Sequence, residues 1–118
     1  MKVAKTFVLI CSILWAAFGW PADQAQAQGV DPVTKQAKHI LELIERNEWQ
    51  QAIEPTEKLK QLYLKNKWKY QFLGDEEEYE QLNREIAKLR VAIKEQDTLE
   101  SKIIIASILS IIHDIYSL

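Results

Sequence analysis

Hydrophobic residues recur at helical spacing in four successive stretches of this sequence, with polar residues between them. In the first stretch they lie three or four positions apart, with Leu41 directly after Ile40: Val33, Ala37, Ile40, Leu41 and Ile44. This spacing gives a helix one apolar face. Asp31 and Pro32 come directly before it, and they suit the N-cap and the first helical position. We therefore expect the first helix to begin there.

A second helix is predicted after Asn47, which breaks the first pattern. Its apolar stripe has spacings of three, four and seven: Trp49, Ala52, Ile53, Thr56, Leu59, Tyr63 and Tyr70. Pro55 lies inside this helix, where it removes a hydrogen bond to Gln51 at a cost of about 3 kcal/mol in a regular helix. We expect a kink at that point.

The second helix carries another apolar row, away from the Trp49 stripe. Leu64, Trp68 and Phe72 recur there every four residues. Either the helix is sandwiched between neighbours that cover both faces, or this row is an exposed patch for a partner. The sandwich is favoured, because aromatic residues at helical spacing usually belong to a core.

A third helix is predicted after Gly74, which suits the left-handed position that ends a helix. Asp75 and Glu78 fit a capping box, and the acidic run at residues 75–78 suits the positive end of a helix dipole. A calcium loop alternates its ligands around a turn glycine, and this run does neither. The core face has spacings of three and four: Tyr79, Leu82, Ile86, Leu89 and Ile93.

The last stretch, residues 103–118, is strongly apolar. Asp97 repeats the cap pattern, so we place a break near Gln96, although a continuous helix with a bend would also fit. Serine and aspartate form one polar strip, and we expect Ser107, Ser110 and Asp114 to face water. The isoleucines expected to be covered are Ile104, Ile108, Ile111, Ile112 and Ile115. This makes the last helix the central one, buried on most sides.

These stretches together predict an all-α fold, a small antiparallel bundle of three to four helices that follows an N-terminal signal segment. The expected division is a signal peptide at residues 1–27, a linker at 28–32 and a helical bundle domain at 33–118. The sequence contains no internal repeat of fixed period, and the length of the domain is sufficient for one modest hydrophobic core.

The N-terminus has the pattern of an export signal. Basic residues precede an uncharged apolar run at residues 6–20, and Ala25 and Ala27 give the small-x-small form of a cleavage site. The alternative is an uncleaved membrane anchor through residues 6–20. Either way the remaining chain is expected to be secreted or extracytoplasmic. Cys11 lies inside the run, so the processed domain has no disulfide framework.

Composition adds little chemistry. The chain has 15 basic and 17 acidic residues and a formal charge of −2. Loss of Lys2, Lys5 and Asp23 with the signal leaves 13 basic and 16 acidic residues, a charge of −3. The one local basic cluster, at residues 65–69, is interpreted as a solvated helix face. We therefore expect no nucleic-acid partner.

No constellation typical of an enzyme is present in the sequence. His39 and His113 lack the Glu-x-x-His neighbours of carboxylate-bridged metal bundles. His113 and Asp114 are adjacent on a helix and are expected to point about 100° apart. We expect no enzymatic activity, no metal, no cofactor and no catalytic residue.

Two resemblances concern the turn between the first helices and the whole domain. Trp49 and Ala52, after Asn47-Glu48, resemble the helix turn of a tetratricopeptide unit, which predicts a helical hairpin hinged there. From about Lys35 onward the chain is similar to the domain-of-unknown-function family four-three-six-three, on Trp68, the Leu73-Gly74-Asp75 turn and the closing segment. The resemblance implies a small exported or membrane-anchored helical protein of Gram-positive bacteria, and it supplies no activity.

The functional prediction follows from export, an all-helical chain and no catalytic pattern. We expect a non-enzymatic envelope binding or assembly module, with a protein partner at the cell envelope. Its candidate partner patch is Leu64, Trp68 and Phe72. Membrane contact is expected only through the N-terminal segment, if that segment is uncleaved. The alternative is a structural subunit whose C-terminal helix docks to a membrane or a partner helix.

Overall fold

Four α-helices follow one another along residues 31–117, the part of the chain that the computed structural model describes. In chain order they are α1 (Pro32–Glu45), α2 (Trp49–Leu73), α3 (Glu76–Lys94) and α4 (Thr98–Tyr116). This part contains no strand, which confirms the all-α prediction. The signal peptide, its Ala25 and Ala27, the apolar run at residues 6–20 and most of the linker lie outside the described residues.

The ends of α1 and α3 form the same kind of turn. Asn47 follows α1 with a φ of 57°, and Gln96 follows α3 with a φ of 54°. In each turn, the residue after the left-handed one donates its backbone N–H to the carbonyl oxygen five residues earlier. Glu48, for example, donates to the carbonyl of Leu43 at 2.9 Å. This pattern satisfies the last carbonyls of a helix. It also shows that α3 and α4 are separate helices and not one bent helix.

The turn between α2 and α3 differs from our expectation for Gly74. Its φ is −109° and its backbone is extended, so the left-handed conformation predicted for it is wrong. The reason for glycine is a close approach. An added Cβ would lie 3.0 Å from Cγ1 of Ile115, 3.1 Å from Oε1 of Glu78 and 3.2 Å from the carbonyl oxygen of Tyr70. Glycine therefore lets α4 pack against this turn.

The N-termini of α3 and α4 are capped as the sequence predicts. The Asp75 carboxylate accepts from the Glu78 N–H at 2.8 Å, and the Glu78 carboxylate accepts from the Asp75 N–H at 3.0 Å. These two bonds complete the capping box. Asp97 likewise accepts from the N–H of Glu100 at 3.0 Å. Both caps fix where the helices start.

The helices pack as a four-membered ring. Each helix packs against the next one in the chain, α4 closes the ring against α1, and α2 touches α4 only slightly across the diagonal. Short turns between successive helices make neighbours antiparallel. The apolar faces meet inside the ring, where the largest fully buried side chains are Tyr63, Tyr70, Ile40, Ile44, Leu59, Leu82, Ile86, Leu89, Ile93, Ile105, Ile108 and Ile115. This arrangement confirms the bundle.

The α1–α2 hairpin is held on both sides of Pro55. α2 runs through Pro55 as one helix, and the Gln36 side chain of α1 donates to the Pro55 carbonyl at 2.9 Å. Thr56 is buried and its hydroxyl donates to the carbonyl of Ala52 at 2.7 Å. Ala52 is fully buried and Trp49 packs against the core. The predicted helical hairpin is therefore present at this turn.

The last helix is not the central helix that its sequence suggested. Its expected isoleucines are all buried, Ser110 and Asp114 are exposed, and Ser107 is half-buried. However, Leu99 and Ile103 are 71% and 53% exposed, so α4 occupies one corner of the ring. A ring of four helices has no central member, because each helix turns one face inward. Except for Ile103, the isoleucines that motivated docking to a membrane or partner helix lie in the bundle's own core.

Candidate functional site

The predicted partner patch lies on the outer face of α2. Leu64, Trp68 and Phe72 are 54%, 69% and 84% exposed. The sandwich that we favoured for this row is therefore wrong. We call these three side chains the outward stripe.

The outward stripe is exposed because α2 has a neighbour on each flank and the core on a third side. On one flank Gln36 of α1 bonds to Pro55. On the other flank Arg90 of α3 donates from Nε to Oε1 of Glu57 at 2.9 Å. The core side is formed by Ala52, Thr56, Leu59, Tyr63 and Tyr70. Residues at the stripe's helical positions are left on the fourth side, which faces solvent.

Tyr63 joins the core face of α2 to α3. Its hydroxyl donates to the carbonyl oxygen of Tyr79 at 2.9 Å, and its ring stacks on Tyr70 with centroids 6.0 Å apart. Burial, and then the nearby Tyr79 and Glu80, raise the pKa of Tyr63 above its ordinary value of 10.0. Hydrophobic spacing marked Tyr63 as core. No sequence signal gave its backbone partner, since that depends on the α2–α3 register.

The half of α2 that carries the stripe is rich in lysine. Residues 58–74 contain no carboxylate and five lysines: Lys58, Lys60, Lys65, Lys67 and Lys69. Within residues 31–117 none of the five pairs with a carboxylate. The residues 65–69 cluster was predicted to be a solvated face, and its lysines are exposed or half-buried.

Two of these lysines turn toward α3 and one toward α4. Lys60 donates to the side-chain oxygen of Asn83, and the Lys67 ammonium lies 6.0 Å from the centroid of the Tyr79 ring. Lys69 lies 5.7 Å from the centroid of the Tyr116 ring. An aromatic face holds an ammonium without cancelling its charge. The positive charge of this half of α2 therefore remains.

Carboxylates are concentrated on the next helix. Asp75 and Glu78 serve the capping box, and Glu76 and Glu77 complete an acidic first turn of α3. In the described part of the chain no cluster of His, Cys, Asp or Glu has the grouping of a metal site. Asp75 and Glu78 of this run have a structural role in helix capping.

The two histidines are on the surface. His39 is exposed. His113 Nδ1 lies 3.7 Å from Oδ1 of Asp114, so these side chains approach each other more closely than we expected for adjacent residues. Ser117 Oγ lies 3.5 Å from the same Nδ1 and donates to the His113 carbonyl at 2.8 Å. A catalytic relay uses both imidazole nitrogens, one toward each partner. Here both contacts fall on one nitrogen, so they form no relay.

Across residues 31–117, the helices are all too short or too polar to cross a membrane.

Comparison with known protein families gives a match over most of the chain. The model of a family described as Domain of unknown function (DUF4363) matches residues 26–118. No curated protein and no solved structure matches the chain. The matched range takes in all four helices, and with them the outward stripe.

Proposed function

Because the chain belongs to the domain-of-unknown-function family DUF4363, whose description assigns no activity, we propose a function from its surface. The protein is a non-enzymatic binding or assembly module of the cell envelope. It contacts its partner through the outward stripe. The observation that carries this proposal is the exposure of Trp68 and Phe72 on a helix whose opposite face is fully packed.

Exposure of a row of large apolar side chains to water is thermodynamically unfavourable unless a partner covers the row. Isolated apolar residues are common on surfaces, but contiguous apolar patches are typical of interaction sites. Tryptophan is among the residues that contribute most to binding, because it covers a large area and loses few rotamers. Trp68 is the centre of the stripe, with Leu64 and Phe72 one helical turn away on either side.

The envelope location is supported by the sequence. A basic start, the apolar run at residues 6–20 and the Ala25-x-Ala27 form are typical of a chain that is exported. The absence of a catalytic pattern in the sequence supports a binding role over an enzymatic one.

Site-specific photocrosslinking in cells that make the full chain tests the proposal. A photoreactive residue replaces Gln61, which is exposed and lies one turn before Leu64. Its matched control replaces Ser110, which is exposed on the outer face of α4. We expect adducts from position 61, with a protein or with lipid, and their loss when Trp68 and Phe72 are both changed to serine. Equal adducts from both positions, or adducts only from position 110, would contradict the proposal.

A second measurement addresses location. Protease added to cells whose outer wall has been removed should digest the bundle if it lies outside the cytoplasmic membrane. Protection until the cells are lysed would refute the envelope assignment. The position-61 adducts would then have to be explained by a cytoplasmic partner.

A further inference from the structure

We infer that the outward stripe and the lysines beside it form a docking surface for the face of an anionic lipid bilayer. This inference rests on the proposed function and names the partner of that same site. In this arrangement α2 lies along the membrane surface, with Trp68 and Phe72 in the interface. The rest of the bundle stays on the water side.

The charge of α2 identifies an anionic partner. Lys65 is exposed one turn from Trp68. Lys69, one turn after Lys65, is half-buried with its ammonium over the Tyr116 ring of α4, and the two lysines form a row beside the stripe. Lys60 and Lys67 lie on the opposite edge, next to α3. No carboxylate interrupts residues 58–74. The stripe is therefore bordered by positive charge on both edges, although the chain as a whole is slightly acidic.

The apolar part of the surface fits a lipid interface. Tryptophan is enriched where hydrocarbon meets headgroups, and Phe and Leu insert beside it. A helix that lies in this interface has an apolar face bordered by lysines, which is the pattern around Trp68. α2 also has a second apolar face, and that one is already filled by the core. The outward stripe is thus free to be the membrane face.

The carboxylates of α3 lie away from the centre of the stripe, so they do not repel anionic headgroups there. The acidic first turn begins after Gly74, on the helix that flanks the Lys60 and Lys67 edge. Lys65 and Lys69 border the other edge. Lys65 lies eight residues before the end of α2 at Leu73, about 12 Å along the helix axis, and the acidic turn begins beyond that end. At that distance exposed charges are largely screened at physiological salt.

A second copy of the chain fits this surface less well. Two stripes packed together would bring their lysine rows close, with no carboxylate in residues 58–74 to meet them. The area is also small. Three partly covered side chains of about 150–250 Å² each supply less than the roughly 800 Å² per partner that a stable interface buries. A bilayer requires neither a complementary shape nor a minimum area.

The experiment uses the full chain with Trp68 as its only tryptophan. Trp15, Trp20 and Trp49 are changed to phenylalanine, and circular dichroism checks that the helices remain. The protein is combined with vesicles of phosphatidylcholine alone, or of equal parts phosphatidylcholine and phosphatidylglycerol. Lipids brominated on their acyl chains quench a tryptophan that enters the interface. This reports on the stripe itself, whatever holds the rest of the chain to the vesicle.

We expect Trp68 to be quenched on the phosphatidylglycerol vesicles and much less on phosphatidylcholine alone. Each lysine near an anionic surface contributes about a fivefold gain, so changing Lys65 and Lys69 to glutamine should lower the docked-to-undocked ratio about 25-fold. The matched control changes Lys38 and Lys102, which are exposed on other helices. This control should leave the quenching unchanged. High salt should reduce it.

Three results would overturn the inference. Equal quenching on both kinds of vesicle would show an apolar contact without recognition of anionic lipid. Quenching that is equally sensitive to the control lysines would show attraction by general charge. No quenching on either kind of vesicle would overturn docking to a bilayer and leave the stripe as a protein surface. A dimer that dissociates when Phe72 is changed to serine would then identify a second copy of the chain as the partner. In that last case protein adducts from position 61 would leave the proposed function standing while this inference fails.

Discussion

Aromatic residues on the two faces of α2 should contribute very differently to the stability of the protein. Phe72 is 84% exposed and Tyr70, two positions earlier, is 0% exposed. About one sixth of Phe72 is covered. For a side chain of about 200 Å² this is roughly 30 Å², or about 0.8 kcal/mol at 25 cal/mol per Å². Truncating a buried aromatic side chain to alanine costs about 3–5 kcal/mol.

Changing Phe72 to alanine should therefore lower the free energy of unfolding by less than about 1 kcal/mol. The better helix propensity of alanine offsets part of even this loss. Changing Tyr70 to alanine should lower it by about 3–5 kcal/mol, because it leaves a cavity beside Tyr63. Urea denaturation of the full chain, followed by far-ultraviolet circular dichroism, measures both variants under the same conditions.

The difference between the two variants is the test, since errors common to both cancel. A loss for Phe72→Ala close to that for Tyr70→Ala would refute the reasoning. It would mean that the outward stripe is covered and contributes to folding. The stripe could then no longer be treated as a surface that is free for a partner.

Three further predictions concern single side chains. Tyr63→Phe should cost about 1 kcal/mol at neutral pH, by removing the bond to the Tyr79 carbonyl. The raised pKa of Tyr63 means that its contribution to stability is complete below pH 10.0 and is lost as the pH rises toward the folded-state pKa, so urea melts at alkaline pH should show a smaller decline for this variant. Ser101→Ala should stabilise the protein by about 1 kcal/mol, because among the described residues its buried Oγ has no hydrogen-bond partner. Gln96→Gly should stabilise it by about 0.5–1 kcal/mol, because Gln96 has a φ of 54°; thermal melts measure the last two.

Two of these predictions have matched control variants. Ser110→Ala, at an exposed position of α4, should gain only about 0.5 kcal/mol from helix propensity. Asn47→Gly should gain less than Gln96→Gly, since asparagine tolerates the left-handed conformation better. An alkaline decline for Tyr63→Phe as steep as in the unchanged protein would contradict the role of its hydroxyl. Equal gains from Ser101 and Ser110 would show that the buried hydroxyl carries no penalty.

Spacing and caps in the sequence were sufficient to predict the helices. Asp75 with Glu78 marks one start, and Asn47 marks one end, because these features act within a single turn of backbone. The left-handed conformation predicted for Gly74 was wrong. Its constraint comes from Ile115, which is distant in the sequence, and no local pattern reports such a contact.

The candidate site shows a different limit of sequence reasoning. The hydrophobic periodicity identified the row at Trp68 correctly, but we predicted that the row is buried. Periodicity shows that a helix face is apolar, and it does not show whether a neighbouring helix covers that face. The same error placed α4 at the centre, although Leu99 and Ile103 are exposed. Which faces are covered depends on the number of helices and the order of their packing. Those are properties of the assembled ring.

The separation of the two faces of α2 is what lets one helix both build the fold and offer a surface. Tyr63 and Tyr70 point into the ring, while Trp68 and Phe72 lie on the outside. Most of the stability of α2 therefore comes from side chains that no partner touches. A partner in turn gains contacts with side chains that the fold uses little. This arrangement makes the outward stripe a place where changes alter binding before they alter folding, and for that reason the binding and unfolding measurements on the same variants can be interpreted separately.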